Sequence, residues 1–303
     1  MSTNGRTHLD SNRRHDAVLL FDVTDGNPNG DPDAGNLPRV DPETMQGLVT
    51  DVAIKRKVRD YVDFAQERGD RYRIYIQGEH ALNDLHQTAY DALDIKVKPK
   101  QPRGDVEKTR QWMCDHFYDV RTFGAVMSTG VNAGQVRGPV QLTFARSIDS
   151  IIPMDLSITR IAITKPGDMG TVSAEGEEEG GKRTEMGRKA MVPYGLYRGN
   201  IFVNPKFGVQ TGFDEADLEL LWRALINTWD LDRSASRGMM AIRGLYVFSH
   251  ENGLGNAPAH QLLDRIHVQR KTGVTAPRLF SDYEVSVDDA AVPEGVTLTR
   301  LIG

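Results

Sequence analysis

The sequence predicts an α+β fold in which helices pack on one face of a sheet. Three patterns carry this prediction: an apolar run typical of a buried strand (Ala17–Phe21), an apolar helical stripe (Ile54–Val62) and a second such stripe (Leu218–Trp229). With shorter strand-like segments between and after the helices, the order suggests a βαββαβ-like core that carries large insertions. A two-layer α+β sandwich is the physical expectation for that order.

The first strand is predicted over His15–Thr24, and it runs into a segment rich in Gly, Pro, Asn and Asp that extends to Asp33. Such a composition is typical of a shaped surface loop at a strand end, where binding sites often lie. Asp25, Asn27, Asn29 and Gly30 match the first half of a calcium-binding EF-hand loop, but Asn36 stands where the bidentate Glu belongs. From spacing alone, a connection without a ligand remains an equal alternative to a site.

The next element is a basic helix, predicted from Gly47 to about Gly69. At about 100° per residue, Lys55, Arg56 and Arg59 lie on one side of the apolar stripe, and Lys57 points elsewhere. The three cations would form either a solvated helix flank or a ledge that binds phosphate.

In the middle of the chain, the residue pattern predicts strands that are separated by inserted segments. Residues 79–116 are polar and helical, broken by an exposed basic loop at Lys96–Arg103. Residues 166–188 are rich in Gly and charge and predict a protruding hairpin or a mobile loop. Strands are predicted at Arg71–Gln77, at the alternating Val140, Leu142 and Phe144, at Ile158–Thr164 and at Met191–Val203 with a bend near Gly195.

The second helix begins after Asp214, which can cap it, and a further strand follows around Leu245 and Val247. Between them lies the sequence Arg233-Ser-Ala-Ser-Arg237-Gly. Its arginines either complement the helix dipole or grip phosphate oxygens together with the serine hydroxyls.

Composition narrows the possible functions. The 303 residues carry a net charge of −5 with a pI near 5.9, which argues against a generally basic nucleic-acid binder but allows a localised groove. We find no metalloprotease, P-loop or dinucleotide-binding motif, and therefore expect no enzyme activity, no cofactor and no bound metal. No signal core or membrane-length apolar run is evident, so we expect a cytoplasmic protein.

Four collinear runs carry a resemblance to a known family: Gly26–Tyr61 (GNPNGDPDAGNLPRVDPETMQGLVTDVAIKRKVRDY), Asp119–Ser128 (DVRTFGAVMS), Arg137–Ile148 (RGPVQLTFARSI) and Thr211–Gly238. Together they resemble the Cas-seven backbone subunit of CRISPR surveillance complexes (Cascade), in the RAMP superfamily, most closely subtype I-C. The resemblance implies one RRM-like (ferredoxin-like) palm over residues 1–303. Helical fingers would be inserted at about 78–136 and a β-hairpin thumb at about 164–190.

The resemblance also implies a function in antiviral defence. Copies of the chain would line up head to tail along a CRISPR guide RNA (crRNA) as a helical filament. They would hold its phosphates and leave its bases free to pair with target DNA. The other expected partners are further Cascade subunits, namely a Cas-five-type subunit and the large and small subunits, with no membrane.

The residues expected at the RNA combine the basic patterns with this resemblance: Asn27, Asn29, Lys55, Arg56, Arg59, Ser128, Arg137, Met169, Lys182, Arg183, Arg233, Ser234, Ser236 and Arg237. A second hypothesis is a metal-dependent endoribonuclease that uses Asp31 or Asp33, because related type III backbone subunits place a catalytic aspartate in the same loop. A third is a scaffold that binds protein only.

Overall fold

The computed structural model describes residues 6–67, 69–78, 80–160, 162, 171–172, 178–179 and 185–303. Its α-helices are α1 (Asp51–Ala65), α2 (Leu82–Ala92), α3 (Arg103–His116), α4 (Tyr118–Phe123), α5 (Pro205–Thr211), α6 (Glu215–Leu231) and α7 (Ala259–Leu263). No helix in these ranges is both long and apolar enough to span a lipid bilayer.

The β-strands are β1 (His15–Gly26), β2 (Gly30–Asp31), β3 (Leu37–Pro38), β4 (Gln46–Val49), β5 (Gly124–Val126), β6 (Gln135–Arg137), β7 (Val140–Leu142), β8 (Ala145–Ser150), β9 (Met154–Arg160), β10 (Thr171–Val172), β11 (Glu178–Glu179), β12 (Glu185–Val203), β13 (Met239–His250), β14 (Ile266–Arg270), β15 (Tyr283–Val287) and β16 (Val296–Ile302). The main sheet runs in the order β16-β13-β1-β12-β8-β4, with every pair antiparallel. The mixed α+β class is as the sequence predicts.

One face of the sheet packs against α1 and α6, which supply the largest hydrophobic cluster. Alternate residues of β1 point to this side, and the Phe21 ring lies 4.5 Å from the Trp229 ring and 5.4 Å from the Tyr197 ring. The hydroxyl of Thr228 also donates to the Lys57 carbonyl at 2.7 Å, which ties the two helices together. Because α1 and α6 pack on the sheet and are hydrogen-bonded to each other, their positions relative to β1 are fixed.

The opposite face of the sheet is covered by the C-terminal part of the chain. Val18 and Leu20 of β1 pack there with α7 and with the hairpin of β14 and β15. Burial on both faces explains why β1 is an unbroken apolar run. The sequence-based two-layer expectation is therefore incomplete, because a third layer lies over part of the sheet.

A smaller hydrophobic cluster joins α2, α3 and α4 to the hairpin of β5 and β6. Arg121 of α4 anchors this unit to α6: its Nε and Nη2 atoms each lie 2.8 Å from a carboxylate oxygen of Asp217, and both side chains are fully buried. A third donor, Nη1, reaches the Cys114 carbonyl at 2.7 Å.

A two-stranded arm extends from the sheet where β9 pairs with the first third of β12. All seven residues of β9 are exposed. Met154, Leu156 and Ile158 alternate onto one face of the arm, as the two-residue period of a strand requires.

Several predicted boundaries are wrong. Asp22–Gly26 continues β1, so the loop begins only at Asn27, and α1 begins at Asp51 because Gly47 belongs to β4. Arg71–Gln77 is irregular apart from one bridge at Arg73, since the Asp119 carboxylate accepts from the amides of Tyr75 and Ile76. Phe144 lies outside β7, and β9 begins at Met154 rather than Ile158.

Candidate nucleic-acid interface

A polar groove of about 450 Å³ opens where three predicted features meet. One wall is the loop after β1, represented by Pro28 and Asn29. The second is the first two turns of α1, including Arg56, and the third is the turn after α6, which contributes Arg237. Residues far apart in the sequence are thus brought together by the pairing of β1 with β13.

The turn after α6 docks directly on the loop after β1. The Asn27 amide donates to the Ser236 carbonyl at 2.7 Å. A Cβ atom on Gly26 would lie 1.9 Å from the Arg237 carbonyl oxygen, and one on Gly238, at φ +61°, would lie 2.4 Å from the Asp25 carbonyl oxygen. Glycine at both positions allows this close backbone approach.

The start of α1 is held by the same loop. The Thr50 side chain caps the helix by accepting from the Ala53 amide at 3.2 Å. Thr50 in turn donates its own amide to the Asn29 side-chain oxygen at 3.0 Å. Asn29 therefore has a structural role in joining the loop to α1, in addition to lining the groove.

Among the described residues, four cations line this groove, and three of them, Arg56, Lys57 and Arg237, lie close enough to influence one another. Burial, and then the neighbouring Arg237 guanidinium, lower the pKa of the Lys57 ammonium, and the Asp60 carboxylate partly offsets this. Lys57 also contacts the Asp232 carboxylate. Burial, and then Arg56, also lower the pKa of Arg237. A bound anion would reduce the repulsion among these cations and would favour their charged forms.

The arginines of the groove make only long contacts with nearby carboxylates. The N–O distances are 3.8 Å for Arg56 to Asp60, 3.5 Å for Arg39 to Asp31 and 3.3 Å for Arg237 to Asp232. Charge-assisted hydrogen bonds are normally about 2.7–2.9 Å long. The Nε atom of Arg39 is buried and has no hydrogen-bond partner among the described residues. That buried atom is out of reach of a ligand, but the Arg39, Arg56 and Arg237 side chains are 31%, 72% and 26% exposed, so their other donors remain open to one.

Lys55, Arg56 and Arg59, predicted to share a solvated flank or a phosphate-binding ledge, have different environments in the structure. Arg56 is 72% exposed, but the Arg59 side chain is only 10% exposed and bonds to the buried Asp119 at 2.8 Å. Lys55 pairs with Asp51 at 2.8 Å and lies 5.6 Å from the Phe123 ring centre. Lys57, predicted to point elsewhere, is buried beside the Trp229 ring and lines the same groove as Arg56.

Other predicted residues lie at or beyond the edge of this groove. Ser234 and Ser236 are exposed, with their hydroxyls 3.1 Å apart, and Arg233 pairs with Asp230. Ser128 is exposed in the turn between β5 and β6. Arg137 lies over the Phe207 ring, 4.2 Å from its centre, and lines a separate groove with Arg110 and Gln135. Met169, Lys182 and Arg183 lie outside the described residues.

Sequence analysis missed several lining residues, among them Arg39, Val52 and Phe144. Arg39 has no periodic pattern around it, and Phe144 alternates with the apolar residues of a strand. Of these residues, only Val52 could have been predicted to be exposed, because it lies off the apolar stripe of the predicted basic helix.

Asp31 and Asp33 bear on the nuclease hypothesis. Asp31 accepts from the Asp33 amide at 3.2 Å and pairs with Arg39, so it shapes the loop. Within the described ranges, no three His, Cys, Asp or Glu side chains are grouped to hold a metal ion.

Comparison with known proteins places the chain in a family. CRISPR-associated protein Cas7 of Haloferax volcanii is 27% identical over 238 residues, which are 71% of this chain and 64% of that protein; the match thus spans less than two thirds of the relative. Two chains of CRISPR RNA-guided surveillance complexes match with TM-scores of 0.46 and 0.45 at 15% and 14% identity. Each match covers 78% of this chain, and 78% and 68% of theirs. The family model of CRISPR-associated protein Cas7 matches residues 13–288, and the chain therefore belongs to the Cas7 family.

Proposed function

We propose that this chain is a backbone subunit of a CRISPR surveillance complex of subtype I-C and that it binds the guide RNA without cutting it. Membership of the Cas7 family and the four collinear sequence runs support the general role. The observation that best supports RNA binding is the groove in which Asn29, Arg56 and Arg237 converge. Its cations suit phosphates, which supply most of the affinity in sequence-independent binding.

The finer architecture belongs to the same proposal. The sheet with α1 and α6 corresponds to an RRM-like palm, and the strand order β13-β1-β12-β8 supports this assignment. The unit around α2 and α3 would be the fingers, about residues 78–136, and the arm of β9 and β12 would lead to the thumb, about residues 164–190.

The proposed partners follow from the role. They are the guide RNA, target DNA through base pairing, further copies of this chain, and the Cas-five-type, large and small subunits. Arg59 is left out of the proposed RNA contacts because it is buried against Asp119. Arg39 joins them because it lines the groove and its side chain is 31% exposed.

Salt-dependent RNA binding of the Arg56→Ala variant tests this function. Losing one phosphate contact should weaken binding to every RNA sequence and reduce the slope of log K against log salt by about 0.7. Arg223→Ala is the matched control, since Arg223 is exposed on α6 and does not line the groove. An unchanged slope for Arg56→Ala would remove this groove from the RNA path. Magnesium-dependent cleavage that is lost in Asp31→Asn or Asp33→Asn would instead favour the nuclease.

A further inference from the structure

A second cavity, of about 410 Å³, lies on the face of the sheet opposite α1 and α6. Its walls are the chain between β8 and β9, the middle of β12, and the loop between β14 and β15. It shares no lining residue with the polar groove on the other side of the sheet. Binding of guide RNA in the groove therefore does not account for this cavity.

The cavity lies at an interruption in strand pairing. β12 pairs with β9 as far as Met191 and with β8 again from Tyr197. Between these two points β12 pairs with β1 along one edge, and no described strand pairs along the other. The chain between β8 and β9 leaves the ladder here, and the Ile151 amide donates to the Met45 carbonyl at 2.8 Å. An unpaired strand edge presents backbone donors and acceptors to another chain.

The shape of this gap limits what can bind in it. Its two ends are blocked, by β9 at Met191 and by β8 at Tyr197. A strand that ran through the gap would collide with them, whereas a chain that ends inside the cavity would not. Ile151, Ile152 and Pro277 supply apolar surface, and Ile152 is 78% exposed. Covering such surface with an apolar side chain is favourable.

Two arginines, Arg270 and Arg278, supply positive charge to the cavity. The Arg270 Nη1 atom lies 3.9 Å from an Asp149 oxygen, which is too long for a charge-assisted hydrogen bond. Asp149 alone of the described lining residues carries a carboxylate, and its other oxygen accepts from the Tyr283 hydroxyl at 2.8 Å. The Arg278 guanidinium donates to a backbone carbonyl at 2.9 Å, while the Asp282 carboxylate accepts from the Arg278 amide. Two guanidinium groups against one carboxylate favour an anionic ligand.

We propose that this cavity binds the C-terminal residue of an extended peptide from a protein partner. The terminal carboxylate lies on Arg270 and Arg278, the main chain lies along the unpaired edge of β12, and the last side chain packs against Ile151 and Pro277. Strand addition and capture of a terminal carboxylate are both established modes of peptide recognition. A nucleic-acid strand fits less well, because its backbone tracks along an open groove and this gap is closed at both ends.

Fluorescence anisotropy with labelled peptides tests the site. The probes are short peptides that end in valine or phenylalanine with a free carboxylate, each matched by the same peptide as its C-terminal amide. The acids should bind the unaltered protein about ten- to a hundredfold more tightly than the amides, which is the range expected for hydrogen bonds to a charged group. Methylation of the last peptide nitrogen should also weaken binding of the acids, because it removes a donor to β12.

Substitutions in the cavity identify the carboxylate site. Arg270→Gln and Arg278→Gln should each lower the affinity for the acids towards that for the amides. Lys271→Gln is the matched control, because it removes one positive charge from the exposed neighbour of Arg270, and Lys271 does not line the cavity. Circular dichroism melting checks that each variant is folded. RNA affinity and its salt slope should be the same in all three variants, since none of these residues lines the groove.

The outcomes separate the peptide site from the guide-RNA function. Equal binding of acids and amides, or no binding of either acid, would overturn the peptide site. An equal loss in Lys271→Gln and Arg278→Gln would overturn it as well, because the attraction would then be one of general charge. Labelled single-stranded DNA that binds the unaltered protein and not Arg278→Gln, when neither acid binds, would assign the arginines to nucleic acid instead. The guide-RNA function is decided separately, by the salt slope of Arg56→Ala.

Discussion

At the scale of single residues, the basic helix shows that a cation's role depends on its partner in space. Arg56 and Arg59 are three residues apart on α1, yet one is exposed and the other is buried against Asp119. The carboxylate of Asp119 also accepts from the amides of Tyr75 and Ile76 at 2.8 and 3.0 Å. Removing Arg59 would leave this carboxylate buried and without its counter-charge.

We predict that Arg59→Ala destabilises the protein by about 3–5 kcal/mol, the usual cost of breaking a buried ion pair from one side. Arg56→Ala, at an exposed position, should change stability by less than about 0.5 kcal/mol. Urea denaturation of the two variants measures the difference. If Arg59→Ala is as stable as Arg56→Ala, the buried pair does not carry the stability we assign to it.

At the scale of elements, the site depends on how two turns dock. The loop after β1 and the turn after α6 touch through backbone atoms, with Gly26 and Gly238 at the contact. A methyl group at Gly238 would overlap two carbonyl oxygens, at 2.4 and 2.5 Å, and would push Arg237 away from the groove.

We predict that Gly238→Ala lowers both stability and RNA affinity. Gly273→Ala is a close control, because Gly273 also has positive φ, at +87°, but nothing lies within 4 Å of its added Cβ. The control should lose only the strain of the left-handed backbone, about 1–2 kcal/mol. Thermal melting and RNA titration of both variants measure the excess loss at Gly238. Equal losses in the two variants would show that the docking contact is unimportant.

Elements with a strong period were predicted well from the sequence, and those shaped by distant contacts were not. The stripes of α1 and α6 and the run in β1 reflect burial against the same sheet, so their residue patterns suffice. Arg71–Gln77 alternates like a strand, but its amides bind Asp119, more than 40 residues away. The local sequence pattern gives no information about a hydrogen-bond partner so far away in the chain. The groove was predicted in part, since Asn29, Arg56 and Arg237 meet there, whereas the exposed Phe144 contradicts its strand-like alternation.

At the scale of the whole molecule, the arm of β9 and β12 is one apolar surface that a single copy of the chain leaves exposed. Leu156 is 37% exposed and Ile158 is 51% exposed on one face of the arm. If copies line up along one guide strand, head-to-tail contacts must form between two different surfaces of the same chain. An apolar strip on a projecting arm suits one side of such a contact, because covering it removes apolar area from water.

We therefore predict that the Leu156→Asp, Ile158→Asp double variant binds a short RNA that spans one subunit as well as the unaltered protein does, but fails to assemble on a long guide. Two carboxylates on the strip would have to be desolvated in any close contact between copies, which is costly without a paired cation. Val209→Asp serves as the control, because Val209 is 78% exposed on α5, away from the arm. Light scattering with and without long guide RNA measures assembly. Particles of the same mass from the double variant and the unaltered protein would exclude this face of the arm from the contact between copies. Loss of short-RNA binding would show instead that the arm belongs to the RNA path of its own subunit.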